Sequence, residues 1–461
     1  MADNHSYFYS TDTDKQTLHR RIVPNRTQIE KQQERWNDLC EYLADVLNKK
    51  TGLSVASWLQ GSYKFHTQVR PKNKKEEFDI DLGIYFKWNG SRDDSKYSPL
   101  DLKRMVQNCL VEYAKETDDA TVVLDPPKDR CNRISFTEGF HIDVPVYHLD
   151  ESTDTRSLAT EKNIWEDSDP KAIYIWFTSL FPEKDSDQVR RLIRYFKIWS
   201  VLNLDNPPSS ILLTVLVAEA YIQLSPEKTA GDDVGLANVS KLIQDRLATS
   251  FSVPNPVDET EDLNRLSEMD NHHFVEALNT LIKTAGRSVA ADTAASAASI
   301  WSEVFSHFFP APATETITSN STTTLSNVLF VPRVRVTATS KTNSGFSRQD
   351  IDKLGPIPRD CDIEFVLLND SDLPTDSHVQ WIVRNEGEEA EIANDLGHHV
   401  GINKRVAKEN SAYNGSHYMD VIVTIPMRGV VGFGRIPIII SFPPVPPRNP
   451  KKPGYTRIRK R

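Results

Sequence analysis

The chain has 461 residues, a formal net charge of −9 and an apolar fraction of 38%. This length favours two or three domains, and the acidic balance disfavours nucleic acid as the main partner. The polar, acidic start MADNHSYFYSTDTDK is not typical of a signal peptide, and no apolar run reaches the roughly 18 residues of a membrane span. The four cysteines form no CxxC pair, so we expect a cytoplasmic protein without disulfides or a zinc site.

The hydropathy pattern changes along the chain and divides it into segments. A helix is predicted over about 27–50, where Trp36, Leu39, Leu43 and Leu47 recur at helical spacing. Helical patterns dominate after residue 160, and short β-rich runs bounded by turn residues follow residue 326. We therefore predict an α/β lobe with an N-terminal helix (1–160), a helical lobe (161–310), a linker (311–326), a small antiparallel β-sandwich (327–445) and a flexible basic tail (446–461).

The strand predicted at residues 78–86, FDIDLGIYF, carries two aspartates on one face. Side chains two positions apart on a strand point the same way, so Asp79 and Asp81 lie side by side, opposite the apolar set that begins with Phe78. Two adjacent carboxylates repel each other unless a cation lies between them or one of them takes up a proton. The pattern is typical either of a solvated strand face or of a divalent metal site.

Two further segments favour the metal site. Gly61-Ser62 follows an apolar run at a predicted helix start, where free backbone N–H groups can bind a phosphate. In the predicted strand HIDVPVYH, Asp143 lies opposite the core face, together with His141, which is either an orienting partner or an ordinary strand residue. A phosphate cradle followed by three carboxylates suits phosphoryl transfer with two metal ions, and Mg²⁺ is the expected ion.

This order of motifs resembles the polymerase β nucleotidyltransferase superfamily. Trp165, Ser168-Asp169-Pro170, the RYFKIW helix and the following Pro-Ser-Ser resemble the bacterial CD-NTases, which are cyclic GMP-AMP synthase-like enzymes of CBASS anti-phage defence. The β-rich region resembles the AGS-C sensor domain. The resemblance implies an α+β fold: a bilobal polymerase β-like nucleotidyltransferase core with a helical second lobe, followed by a small antiparallel β-sandwich domain.

The resemblance also implies roles for individual residues. Asp79, Asp81 and Asp143 would be catalytic and would hold two Mg²⁺ ions, replaceable by Mn²⁺. Asp143 would also assist deprotonation of the acceptor hydroxyl. Lys197 would contact the donor triphosphate, and a serine after it, Ser209 or Ser210, would help to hold the nucleotide.

The remaining candidates carry open alternatives. Gln60, Gly61, Ser62 and Tyr63 form the predicted phosphate cradle and its flanks, and Tyr63 either stacks on a base or packs in the core. Asp258, in a turn-rich stretch, either contacts a base edge or caps a loop. Arg190, on the predicted helix of Lys197, is expected on a solvated helix face.

The leading functional hypothesis is a nucleotidyltransferase that makes a cyclic di- or trinucleotide from ATP, GTP or other ribonucleoside triphosphates, with accessory defence proteins as further partners. A second hypothesis, with the same catalytic core, is a transferase that makes linear oligonucleotides or modifies RNA or protein. A third is a catalytically inert nucleotide-binding module. The intact set of three aspartates argues against the inert module, because clustered carboxylates are costly without a ligand.

Overall fold

A computed structural model of the protein describes residues 5–14, 17–225, 230–291, 294–310, 329–341, 345–425 and 429–441. The predicted linker 311–326 and the predicted tail 446–461 lie outside these residues. The chain divides into two compact units, Met1–Ser321 and Thr322–Arg461. Among the residues that the structure describes, no helix is both long and apolar enough to cross a membrane. All four cysteines are free thiols.

The first unit combines helices with a mixed β-sheet, as the α+β prediction requires. Its helices are α1 (His5–Phe8), α2 (Leu18–Ile22), α3 (Arg26–Thr51), α4 (Gly61–Lys64), α5 (Pro99–Glu116), α6 (Pro170–Ser179), α7 (Glu183–Asn203), α8 (Ser210–Tyr221), α9 (Asp232–Thr249), α10 (Glu268–Val289) and α11 (Ala294–Phe305). Its strands are β1 (Ser54–Gln60), β2 (Phe78–Lys87), β3 (Ala120–Val123), β4 (Asn132–Phe136), β5 (Phe140–Val144), β6 (Val146–Asp150), β7 (Thr155–Ala159), β8 (Trp165–Asp167), β9 (Pro254–Asn255) and β10 (Asp258–Asp262).

Strand β2 is the central strand of an eight-stranded sheet formed by β1 to β8. It pairs antiparallel with β1 and parallel with both β5 and β6, which are separated by Pro145. Its apolar face, including Ile80, Leu82 and Ile84, is buried in one cluster with residues of α3 and α5. The predicted core face of this strand is therefore confirmed, and the sheet holds its polar face in a fixed register.

Helix α3 begins and ends at well-defined caps. A capping box formed by Asn25 and Gln28 starts the helix, and Gly52, in the left-handed region at φ 72°, ends it. The predicted apolar stripe of Leu39, Leu43 and Leu47 is fully buried. The predicted helix is therefore confirmed, and its buried face fixes one side of the sheet core.

The long helix α7 has a buried apolar face. Val189, Leu192, Phe196 and Trp199 have no exposed surface. The short helix α1 also reaches this core, because the ring of Phe8 lies 4.9 Å from that of Trp301 and 5.5 Å from that of Tyr195. The polar start of the chain thus contributes an aromatic anchor, which its composition did not predict.

The second unit contains two packed sheets. Its elements are β11 (Val334–Ser340), β12 (Ser347–Ile351), β13 (Leu354–Ile357), β14 (Cys361–Leu367), β15 (His378–Asn385), α12 (Glu388–Ile392), β16 (Gly397–Ile402), β17 (Val406–Asn410), β18 (Gly415–Ile425) and β19 (Gly429–Ile440). The sheets have the orders β12-β11-β14-β17 and β13-β19-β18-β15-β16. Phe365 of one sheet and Trp381 of the other belong to the same core cluster. The β-sandwich is confirmed, although β13 pairs in parallel with β19.

Candidate active site

The register between β2 and β5 brings the predicted carboxylates together. Asp79 lies beside His141 and Asp81 lies beside Asp143 in this parallel pair. Ligand atoms of Asp79, His141 and Asp143 all lie within 4.8 Å of one another. The sequence predicted these residues on two separate strands, and in the structure these strands are neighbours in the sheet.

Asp143 is held by two cations. Arg133 donates through Nη2 to Oδ2 at 2.8 Å, and the Lys128 Nζ lies 3.1 Å from the same oxygen. Burial alone would raise the pKa of Asp143, but the hydrogen bonds and charges of Arg133 and Lys128 leave that pKa below its ordinary value. This carboxylate is therefore ionised and fixed in orientation.

Asp81 has the opposite surroundings. Burial raises its pKa first, and the charges of Asp79 and Asp143 raise it further. Within the part of the chain that the structure describes, no cationic side chain forms an ion pair with Asp81. Asp79, Asp81 and Asp143 therefore form a local surplus of negative charge. A bound divalent cation would offset this charge and the repulsion between the carboxylates.

Gly61 makes the close approach to Asp81 possible. It has a positive φ of 56°, in the left-handed region, and a Cβ built on it would lie 1.9 Å from Asp81 Oδ2. Ser62 follows in the single turn of α4 and is half-buried. The Gly-Ser turn predicted from the sequence therefore packs directly against the carboxylates.

His141 is oriented by a fourth carboxylate, that of Glu77. Its Nδ1 lies 2.9 Å from Glu77 Oε2, and its Nε2 lies 2.9 Å from Asp79 Oδ1. The Nε2 atom is buried but makes no hydrogen bond, because the contact with Asp79 is not aligned as one. The donor set of carboxylates and this buried nitrogen fits a divalent cation. The sequence signal for His141 was its place two residues before Asp143, on the same strand face.

The flanking residues of the Gly-Ser turn are engaged inside the protein. The Gln60 amide donates to Tyr85 Oη at 2.6 Å and accepts from Tyr147 Oη at 3.2 Å. Tyr63 packs edge-on against Trp36 and its hydroxyl accepts from the indole N–H at 3.3 Å. In this structure Tyr63 packs against Trp36, and nucleotide contacts of Gln60 and Tyr63 stay predictions.

Lys197 belongs to a basic stripe on α7 that binds the loop after α4. Its Nζ donates to Thr67 Oγ1 at 2.9 Å and to Thr67 O at 3.2 Å. Arg194 donates to the carbonyl of His66, and Arg190 donates to the carbonyl of Phe65 at 3.1 Å. Three successive carbonyls thus each receive one side chain of the stripe.

The prediction of a solvated face for Arg190 is wrong, because only 18% of its side chain is exposed. The amphipathic pattern could not predict this, since the covering loop comes from a distant part of the chain. Lys197 is more deeply buried. Burial, and then the charge of Arg194, lower the pKa of Lys197 to about 7, although Asp81 and Asp79 act in the opposite direction.

The remaining predicted contacts have local roles in the structure. Ser209 is the N-cap of α8 and accepts a hydrogen bond from the Leu212 N–H at 3.3 Å, and Ser210 begins that helix. Asp258 starts the second strand of the β9–β10 hairpin and accepts from the Thr260 hydroxyl at 2.6 Å. Their nucleotide contacts stay predictions.

Family models match two parts of the chain. Residues 55–147 match the nucleotidyltransferase domain of DncV-like cyclic GMP-AMP synthases. Residues 315–441 match the adenylyl/guanylyl and SMODS C-terminal sensor domain. The first match contains Gly61, Asp79, Asp81 and Asp143, and the second covers the β-sandwich.

Known proteins resemble both the sequence and the fold. A cyclic GMP-AMP synthase of Escherichia albertii is 30% identical over 445 residues, which are 94% of this chain and 95% of that protein. A c-di-GMP synthase of Roseivirga ehrenbergii is 26% identical over 280 residues, covering 53% of this chain and 70% of that protein. Vibrio cholerae DncV in complex with the linear intermediate 5′-pppA(3′,5′)pG superposes with a TM-score of 0.57 at 18% identity, covering 66% of this chain and 96% of that one.

Proposed function

Because this chain belongs to the DncV-like family of bacterial cyclic GMP-AMP synthases, with a C-terminal sensor domain, we propose that it makes a cyclic dinucleotide from two ribonucleoside triphosphates. The observation that carries the proposal is the cluster of Asp79, Asp81 and Asp143 on adjacent strands beside the Gly-Ser turn. Whole-chain similarity to a cyclic GMP-AMP synthase makes ATP and GTP the expected substrates. The product would act in anti-phage defence, as the likeness of the sequence motifs to the CD-NTases implies.

The three aspartates would hold two divalent cations. When bound, such cations neutralise phosphate charge and lower the pKa of an attacking hydroxyl. Asp79, half exposed, is accessible to an incoming nucleotide, whereas Asp143 is buried beside Arg133 and Lys128. Because its pKa is lowered, Asp143 is suited to orienting a ligand rather than to taking up a proton. This departs from the proton-accepting role that the resemblance implied.

Lys197 is the residue proposed to bind the donor triphosphate. Its Nζ is buried and bonded to Thr67, in the loop that follows the Gly-Ser turn. A triphosphate close to Lys197 would favour its protonated form and would offer stronger acceptors than Thr67. Gly61 and Ser62 would contribute backbone N–H groups to the same phosphates.

The test is incubation of the full chain with four radiolabelled ribonucleotides and Mg²⁺ or Mn²⁺, followed by phosphatase. A phosphatase-resistant product made of two nucleotides is the expected result. A resistant trinucleotide would change the ring size, and a phosphatase-sensitive ladder would establish a linear oligonucleotide synthase instead. The control is the double variant Asp79→Asn/Asp81→Asn, which should form no product; wild-type protein without any product would contradict the proposal.

A further inference from the structure

We propose that His141 Nε2 is a ligand of the divalent cation held by Asp79 and Asp143, so that this position prefers Mn²⁺ to Mg²⁺. The inference rests on the proposed function, because it concerns the metal of the same site. It goes further in giving that site a nitrogen donor in addition to its carboxylates.

The first argument is the orphaned nitrogen. His141 is 7% exposed, and its Nε2 makes no hydrogen bond although it is buried. A buried polar atom without a partner destabilises the folded protein, because it has lost its hydrogen bonds to water. The atom lies within 4.8 Å of ligand atoms of both Asp79 and Asp143, so one cation can contact all three.

The second argument is the orientation of the imidazole ring. Nδ1 lies 2.9 Å from Glu77 Oε2, and the same carboxylate oxygen accepts the Ser135 hydroxyl at 3.0 Å. A carboxylate at this position accepts a hydrogen bond from Nδ1–H, which leaves the lone pair of Nε2 free. Metal-binding histidines in proteins are usually oriented by a carboxylate in this way.

The main competing role for His141 is a bridge, in which a doubly protonated ring donates to Glu77 and to Asp79. A bridge requires the Nε2–H to point along its contact with Asp79. The 2.9 Å contact lacks that alignment, whereas the contact with Glu77 is a hydrogen bond. The geometry thus separates the two ring nitrogens into one donor and one open acceptor.

The donor set determines which ion is preferred. Mg²⁺ favours oxygen ligands and near-ideal octahedral geometry. Imidazole nitrogen raises the affinity for divalent transition metals, which also accept carboxylates. A site with Asp79, His141 and Asp143 should therefore favour Mn²⁺ over Mg²⁺ more strongly than a site made of carboxylates alone.

The experiment uses full-length protein with Mn²⁺ and measures the ion directly by pulsed EPR, in which a coordinated imidazole gives a nitrogen hyperfine coupling. Wild-type protein should show the coupling, and His141→Gln should lose it. Binding titrations should show Mn²⁺ affinity reduced about ten- to hundredfold in His141→Gln, with a smaller change for Mg²⁺. The matched control is His273→Gln, which removes an exposed imidazole on α10 and should leave coupling and affinities unchanged.

Each outcome decides the inference. Bound Mn²⁺ without nitrogen coupling in the wild type, or an equal loss of Mn²⁺ and Mg²⁺ affinity in His141→Gln, would overturn it. Wild-type protein labelled with ¹⁵N-histidine replaces the variant if His141→Gln does not fold, since a coupling that stays ¹⁴N excludes histidine. If the protein makes a cyclic product but shows no nitrogen coupling, the proposed function stands and the inference about His141 fails. If it shows nitrogen coupling but makes no product, only the proposed function is contradicted. If it shows neither, the proposed function and the inference are both contradicted.

Discussion

Two aspartates in the β-sheets of this protein have opposite electrostatic surroundings. Asp420, in the second unit, is fully buried and accepts hydrogen bonds from Arg384 at 2.5 Å and Arg435 at 2.8 Å. Burial would raise its pKa, but the two guanidinium groups leave that pKa below the ordinary value. Asp81, in the first unit, lies beside two other carboxylates, and its pKa is raised.

This difference in surrounding charge distinguishes the structural cluster at Asp420 from the candidate active site at Asp81. Around Asp420, two cations surround one carboxylate, so the protein itself offsets the negative charge. Around Asp81, three carboxylates lie beside the two cations that bind Asp143. A protein that maintains such unbalanced negative charge gains from it when a cation binds, so the imbalance itself indicates the functional site.

The largest expected effect is on activity. Asp81→Asn should lower nucleotide transfer about a thousandfold, since metal coordination contributes several kcal/mol to catalysis. The free energy of unfolding of the metal-free protein should stay level or rise slightly, because the change removes one of three repelling charges. Product formation measures the transfer rate, and chemical denaturation measures the free energy of unfolding. Near-normal turnover of the variant would contradict the assignment of Asp81 as a metal ligand.

The matched substitution in the second unit, Asp420→Asn, should lower stability instead of leaving it level. Asp420→Asn removes the carboxylate that two buried guanidinium groups share, so the free energy of unfolding of that unit should fall by about 3–5 kcal/mol. Denaturant unfolding followed by tryptophan fluorescence reports this change, because Trp381 lies in the core of the unit. If Asp420→Asn and Asp81→Asn changed stability by the same amount, the comparison between the two sites would be wrong.

A smaller effect is expected at Lys197. Lys197→Ala should weaken binding of a donor nucleotide in Mg²⁺ buffer about tenfold to a hundredfold, because a charge-assisted hydrogen bond to the triphosphate contributes roughly 1.5–3 kcal/mol. Lys197→Arg should restore part of the affinity, since it retains the charge with a different reach.

The control for Lys197 is Arg190→Ala on the same helix. Arg190 binds the carbonyl of Phe65, so its loss should reduce the free energy of unfolding by about 1 kcal/mol while nucleotide affinity changes little. Calorimetric titration with a non-hydrolysable triphosphate distinguishes the two residues. Equal losses of affinity would show that the stripe acts only through the loop.

The smallest predicted effect is a pH dependence. The pKa of Lys197 is about 7 in the folded protein, whereas its ordinary value is 10.5. Between these values the unfolded chain binds more protons, so the free energy of unfolding rises with pH, by about 1 kcal/mol from pH 7 to pH 8 for this group. Lys197→Met should lack this rise. Denaturation of both proteins at the two pH values gives the difference, and parallel pH profiles would contradict the lowered pKa of Lys197.

Periodic patterns predicted most of the fold. The apolar alternation of β2 and the helical spacing of Leu39, Leu43 and Leu47 both identified buried faces. Several strands of the second unit were recognised because β-branched residues alternate with polar ones. The features that were not predicted show no repeating pattern of apolar residues. Strand β13 is too short for one, at four residues, and the buried Phe8 of α1 lies in a polar segment.

The candidate site could be predicted only as far as its motifs reach. The spacing of two positions indicated that Asp79 and Asp81 share a face, and the structure places Asp143 beside them. The contact of Lys197 with Thr67 joins residues 130 positions apart, and no local pattern encodes it. The two cations on Asp143 also come from a loop and a neighbouring strand, so its lowered pKa could not be predicted from its own strand.

The joint between α7 and the loop at Phe65, His66 and Thr67 has a mechanical consequence. Phe65 ends α4 in a helical conformation and His66 has a positive φ of 55°, so the three carbonyls belong to a turn. Each of these carbonyls accepts a hydrogen bond from a different side chain of α7. The joint therefore couples the position of the Gly-Ser turn, which lies just before these residues, to the position of α7.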